Sequence, residues 1–110
     1  MLQVTFRHMS ASDALRSLAV ELLDKLHVRA HGAERCHLVV DLVSRQPGHK
    51  PAQFTVHMEV SFGLHEAQFH ASSTADDASD AIREVFASIE RQLHDRRTRL
   101  HGNERATSAL

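Results

Sequence analysis

A single cysteine, Cys36, excludes an internal disulfide. No CxxC, HExxH, GxGxxG or GxxxxGKS/T pattern occurs, so thiol-redox, zinc-protease, dinucleotide and phosphate-loop chemistry have no local support. No apolar run approaches the roughly 20 residues that cross a bilayer. The opening residues 1–9 lack the apolar core of a secretory leader, so the cytoplasm is the expected location. Prolines are few, Pro47 and Pro51, and there is no internal repeat, linker or low-complexity tract. An excess of one charge is also missing. Thirteen Lys and Arg face 14 Asp and Glu, giving a formal net charge of −1 and a pI near 6.8. Total charge therefore announces no nucleic-acid partner, and any such partner must be met by an uneven distribution of cations.

What is present fits one soluble domain with one core. The chain has 110 residues, 42% hydrophobic and 25% charged, too short for two ordinary domains and too apolar for general disorder. Ten histidines are the compositional oddity, because at mildly acidic pH they add positive charge.

Hydrophobic periodicity divides the chain into six elements. Leu2, Val4 and Phe6 alternate with polar residues as in a half-buried strand. Ser12 is the expected cap of a helix, since Leu15, Leu18, Ala19, Leu22, Leu23 and Leu26 follow at helical spacing, and the helix should end between Val28 and Gly32. A second strand spans Cys36–Val43, with Cys36, Leu38, Val40 and Leu42 on one face. Gln46-Pro47-Gly48 and Pro51 then break the chain. Phe54 to Phe62 is the clearest strand. After Gly63 a shorter one follows, with Ala67, Phe69 and Ala71 inward.

The last element is a long amphipathic helix. Ala81, Ile82, Val85, Phe86, Ile89, Leu93 and Leu100 form its apolar stripe, Asp76, Asp77 and Asp80 lie at its start, and Arg96, Arg97 and Arg99 lie at its end. The order β-α-β-β-β-α predicts an α+β two-layer sandwich. Its four-stranded mixed sheet has the first two strands parallel, the last three antiparallel, both helices on one face, and the other face open to water. Residues 1–100 are expected to form one domain, with residues 101–110 as a short flexible tail.

Candidate chemistry is sparse. His37, His57 and His70 fall on the predicted open face, where they are either surface histidines or the makings of a transition-metal site. Cys36 is expected inward as a small buried hydrophobe. The aspartates of the last helix are expected to cap it and do no acid/base work. The helix arginines admit two readings, a solvated face or a set of phosphate-binding donors.

Ala14-Leu15-Arg16, Lys25-Leu26, the strand ending His70-Ala71-Ser72, DDASDAI over Asp76 to Ile82, and ERQL over Glu90 to Leu93 bear on that choice. Their order and spacing, from Leu2 to about Leu100, resemble the ribosome hibernation promoting factor family, also called ribosome-associated inhibitor A or sigma-54 modulation proteins. The resemblance implies a double-stranded-RNA-binding-like sandwich that is not an enzyme and carries no cofactor or metal. It implies binding to the small ribosomal subunit and the 70S ribosome under stress or in stationary phase, in the channel of messenger and transfer RNA. Arg91, Arg96, Arg97 and Arg99 stand where the family's second helix is basic, and Arg16 and Lys25 do so in the first. Arg83 is added on helix geometry alone, because it shares the outward side with Arg91 and His94. All seven are expected to meet 16S rRNA phosphates. The sequence departs from the pattern at Leu22, Ser88 and Asp95, positions often lysine in the family. The resemblance is to the short type, and a monomer is expected. The alternative is a divergent paralogue with the same fold that acts as a protein-interaction module.

Overall fold

The computed structural model describes residues 2–29, 33–44, 53–62 and 67–108, and the side chains of residues 2–26, 35–43, 53–61 and 68–95. Its elements are β1 (Leu2–Arg7), α1 (Asp13–Arg29), β2 (Ala33–Ser44), β3 (Gln53–Phe62), β4 (Ala67–Ala75) and α2 (Ala78–Ser108). They form one four-stranded sheet in the order β1-β2-β3-β4, with β1 parallel to β2 and the remaining pairs antiparallel. This is the α+β order and pairing that the periodicity predicts. The expected breaks at Gln46-Pro47-Gly48, Pro51 and Gly63, and the helix stop at Gly32, lie outside the described residues.

Both helices start as their sequences dictate. The Leu15 amide donates to the Ser12 hydroxyl at 3.2 Å, and the Ser79 amide donates to the Asp77 carboxylate at 2.7 Å. Each satisfies an amide that has no partner inside its helix. Between β1 and α1, His8 takes a φ of 59°, a left-handed conformation that histidine tolerates better than most residues. Its Nδ1 lies 2.8 Å from Asp41 Oδ1 on β2, which pins the turn that carries the chain from the sheet into α1.

One hydrophobic layer joins the two halves. Leu38, Val40, Val56 and Met58 from the sheet and Ala19, Ala81, Ile82, Val85 and Ile89 from the helices are all fully buried in one cluster. Removing each large aliphatic side chain from water contributes roughly 1.5–3 kcal/mol. Among the described residues no polar or charged side chain is buried, so the core itself holds no chemistry.

Three elements run longer than their periodicity suggests. β2 begins at Ala33 and ends at Ser44 because register shifts at either end let its polar termini keep pairing with β3. β4 continues past Ser72, where the sequence reading ends it, through Ser73 and Thr74 to Ala75. There Thr74 pairs with Thr55, their hydroxyls 3.1 Å apart, and Ala75 packs on the core. The backbone of α2 stays helical past Leu100 to Ser108, a stretch with no proline to stop it, although Gly102 and Asn103 are weak helix formers.

Candidate nucleic-acid interface

The helix layer presents its cations in separate places. Arg16 and Lys25, both exposed on α1, are nine positions apart, which is about two and a half turns, so they lie on opposite sides of that helix. Arg16 turns toward β1, where its guanidinium carbon stands 5.8 Å from the centroid of the Phe6 ring and Nη1 is 4.0 Å from Asp13 Oδ1. Part of its role is therefore local packing.

Lys25 turns the other way, toward α2. It lines a groove of about 190 Å³ between the helices together with Arg83 and Glu90, over a floor that includes Leu26 and Phe86, each 5% exposed. Two cations from different helices thus converge on one concave surface, beside one carboxylate. Such a groove suits a single phosphate, with the adjoining sugar laid on the apolar floor.

Arg91 belongs to a neighbouring cleft between β4 and α2, about 350 Å³ in volume, shared with Ser72, Ser73, Glu84 and Ser88. The Ser73 hydroxyl donates to the Glu84 carboxylate, and Arg91 itself is exposed. At the next residue, the Gln92 carboxamide donates to the His70 carbonyl at 2.9 Å, covering part of the free edge of β4 against association with another strand. The backbones of Arg96, Arg97 and Arg99 lie in α2 beyond Leu93, which still packs against the core, and their side chains lie outside the described set. Of the seven candidate cations, the structure brings Lys25 and Arg83 together and sets Arg16 and Arg91 apart. Glu84 and Glu90, which line the same clefts, have no place in the sequence reading of the site. Each stands seven positions from a cation of the same cleft, Glu84 from Arg91 and Glu90 from Arg83, but both clefts are made by tertiary packing, which that spacing does not announce.

On the opposite side, the open sheet face arranges its histidines differently from a three-imidazole cluster. His37 is level with Glu59, and Glu59 with His70, whereas His57 belongs to the next row with Val39 and Ser72. Among the described residues, no group of three or more His, Cys, Asp or Glu side chains has a metal-holding geometry. Cys36 is 3% exposed, and burial pushes its thiol up from 9.0 to about 11, slightly opposed by the charge of the chain's amino terminus. The thiol is thus held protonated in the core and is no nucleophile. No described helix is long and apolar enough to cross a membrane.

Comparison with known proteins agrees with this architecture. The chain has 18% identity with a ribosomal subunit interface protein from Coxiella burnetii, covering 88% of this chain and 97% of that one at a TM-score of 0.73. With the N-terminal domain of Protein Y from Thermus thermophilus the identity is 17%, over 81% of this chain and 89% of that one, at a TM-score of 0.67. At these identities the likeness is one of fold. No curated protein matches the sequence. The model of the family described as sigma 54 modulation protein / S30EA ribosomal protein matches residues 2–101, nearly the entire chain, and the chain belongs to that family.

Proposed function

We propose that this protein is a ribosome hibernation factor, which binds the small ribosomal subunit in the messenger and transfer RNA channel and stops translation under stress or in stationary phase. The observation that carries the reading is the convergence of Lys25 and Arg83, from two helices, on one groove. Family membership points the same way, as does a fold shared with a protein described as a ribosomal subunit interface protein. The work is binding, with no bond-making chemistry. Phosphate contacts from Lys25, Arg83 and Arg91, joined by Arg16 and the arginines 96, 97 and 99, position a compact plug against structured RNA through backbone and shape. Co-sedimentation with isolated small subunits and with 70S ribosomes over a salt series, with messenger or initiator transfer RNA as competitor, tests this. Saturable binding that falls with salt and yields to the competitor is expected. Absence of binding at every salt concentration overturns the proposal.

A second reading has its own support. Carboxylates accompany the described cations, Asp13 beside Arg16, Glu90 beside Lys25 and Arg83, and Glu84 beside Arg91, so the helix face is mixed in sign. A mixed face suits a protein partner, and in that case the same assay gives no ribosome binding.

A further inference from the structure

The open sheet face holds a site that the helix groove does not use. Strand registry sets four polar side chains in one row across the entire sheet, Gln3 on β1, His37 on β2, Glu59 on β3 and His70 on β4. They line a shallow trough of about 410 Å³, with Arg35 and Gln68 from the adjacent row. The Glu59 side chain is 66% exposed, and its carboxylate lies 3.5 Å from His70 Nδ1. His37 is held in place from its other side, its Nε2 being 3.0 Å from the Thr5 hydroxyl. The trough therefore has a carboxylate at its centre, an imidazole on each side, and amide and guanidinium donors at its margin.

We infer that this trough binds an unpaired guanine base of RNA. A carboxylate has about four lone-pair sites, so Glu59 can keep its contact with His70 through Oε1 and still accept two parallel hydrogen bonds, and the Watson–Crick edge of guanine offers two adjacent donors, N1–H and the N2 amino group. Adenine sets the N1 acceptor next to its amino group, cytosine sets N3 next to its own, and uracil has one N–H between two carbonyls. Each of these places a lone pair against Glu59. Guanine O6, next to N1–H, accepts from a marginal donor, Arg35 or Gln68, and the rings of His37 and His70 supply flat surfaces for stacking.

The same features exclude other occupants. A phosphate is repelled by the central carboxylate. A peptide strand would add along a sheet edge and seat apolar side chains. This trough crosses the strands, and in its own row and the next the one apolar side chain is Val39. The site goes beyond the phosphate groove and needs neither Lys25, Arg83 nor Arg91.

The test is fluorescence anisotropy of the whole protein with two labelled pentaribonucleotides, UUGUU and UUAUU, at one fixed salt concentration. Their charge is equal, so phosphate attraction cancels in the comparison. Binding of UUGUU about tenfold tighter is expected, within the usual range for one well-made bidentate base contact. Glu59→Gln should abolish the preference, because the carboxamide keeps one acceptor and turns a donor toward a guanine donor, and the circular dichroism spectrum should not change. Equal affinity for the two pentamers, failure of both to bind at millimolar protein, or a preference that survives Glu59→Gln overturns the assignment. Ribosome co-sedimentation of the parent protein keeps the two proposals separate, since absence of salt-dependent ribosome binding there tells against the helix groove alone.

Discussion

Lys25 of α1 and Arg83 of α2 line the same groove above the buried side chains of Leu26 and Phe86. If both cations neutralise one phosphate, their effects on ribosome binding are coupled. Lys25→Ala and Arg83→Ala should each weaken binding several-fold. The double variant should lose less than the sum, since neighbours that share a partner are not additive. The salt dependence is the sharper readout. One shared phosphate removes about 0.7 to 0.9 from the slope of log affinity against log salt, in the double variant as in the singles, and two independent phosphates remove about twice that. Affinities measured from 50 to 200 mM salt for the four proteins distinguish these cases.

Arg16 combines two roles that lysine can separate. Its guanidinium stands over Phe6 and near Asp13, a contact worth about 0.5–1 kcal/mol at an exposed site. Arg16→Lys keeps the charge and loses the planar stack. The expected result is a melting temperature a few degrees lower with ribosome affinity within about twofold of the parent. If affinity falls as far as in Arg16→Ala, the planar fork itself is what the RNA reads.

Replacement of Arg91, Arg96 and Arg97 together by alanine should weaken ribosome binding and flatten its salt dependence while the fold persists. Arg91 is exposed, and the backbone of the other two lies in α2 past Leu93. Surface changes of this kind usually move stability by less than about 0.5 kcal/mol each. A triple variant that binds as well as the parent removes these arginines from the interface, and a cooperative loss of structure shows that they support the fold.

The features legible in the sequence were those set by local rules. Period-two and helical spacing are backbone geometry, so they set Leu38 on one strand face with Cys36 and Val40 and put Ile82 and Ile89 on one helix stripe, and all three of Leu38, Ile82 and Ile89 are fully buried. Ser12 announced its cap because the apolar repeat begins three residues later, and the Leu15 amide does bond to it. Where pairing between distant strands decides, local rules are silent. The histidines of β2 and β4 are visible as residues of the open face, but which carboxylate lies between them depends on the register of strands distant in sequence. The left-handed His8 is fixed by a partner far away in sequence, Asp41. Arg83 was readable as an outward cation, yet its convergence with Lys25 is a property of helix packing.

Cys36 gives a prediction on stability against pH. Burial raises its thiol to about 11 in the folded protein, from an ordinary 9.0 once the chain is unfolded. Below pH 9 both states hold the proton and the thiol contributes no pH dependence. Between pH 9 and pH 11 the unfolded chain releases the proton while the folded chain keeps it, so the folded state binds more protons and stability falls as pH rises. At about 1.36 kcal/mol per unit, the loss over that window is about 2 to 3 kcal/mol. Urea midpoints at pH 8, 9, 10 and 11, under reducing conditions, should show the decline. In Cys36→Ala the part due to the thiol should vanish, leaving a curve that starts lower, because the sulfur no longer fills its place beside Leu38 and Val60, and falls less steeply. Parallel curves for the two proteins would mean that the folded protein opens around Cys36 readily enough for the thiol to titrate as it does in water.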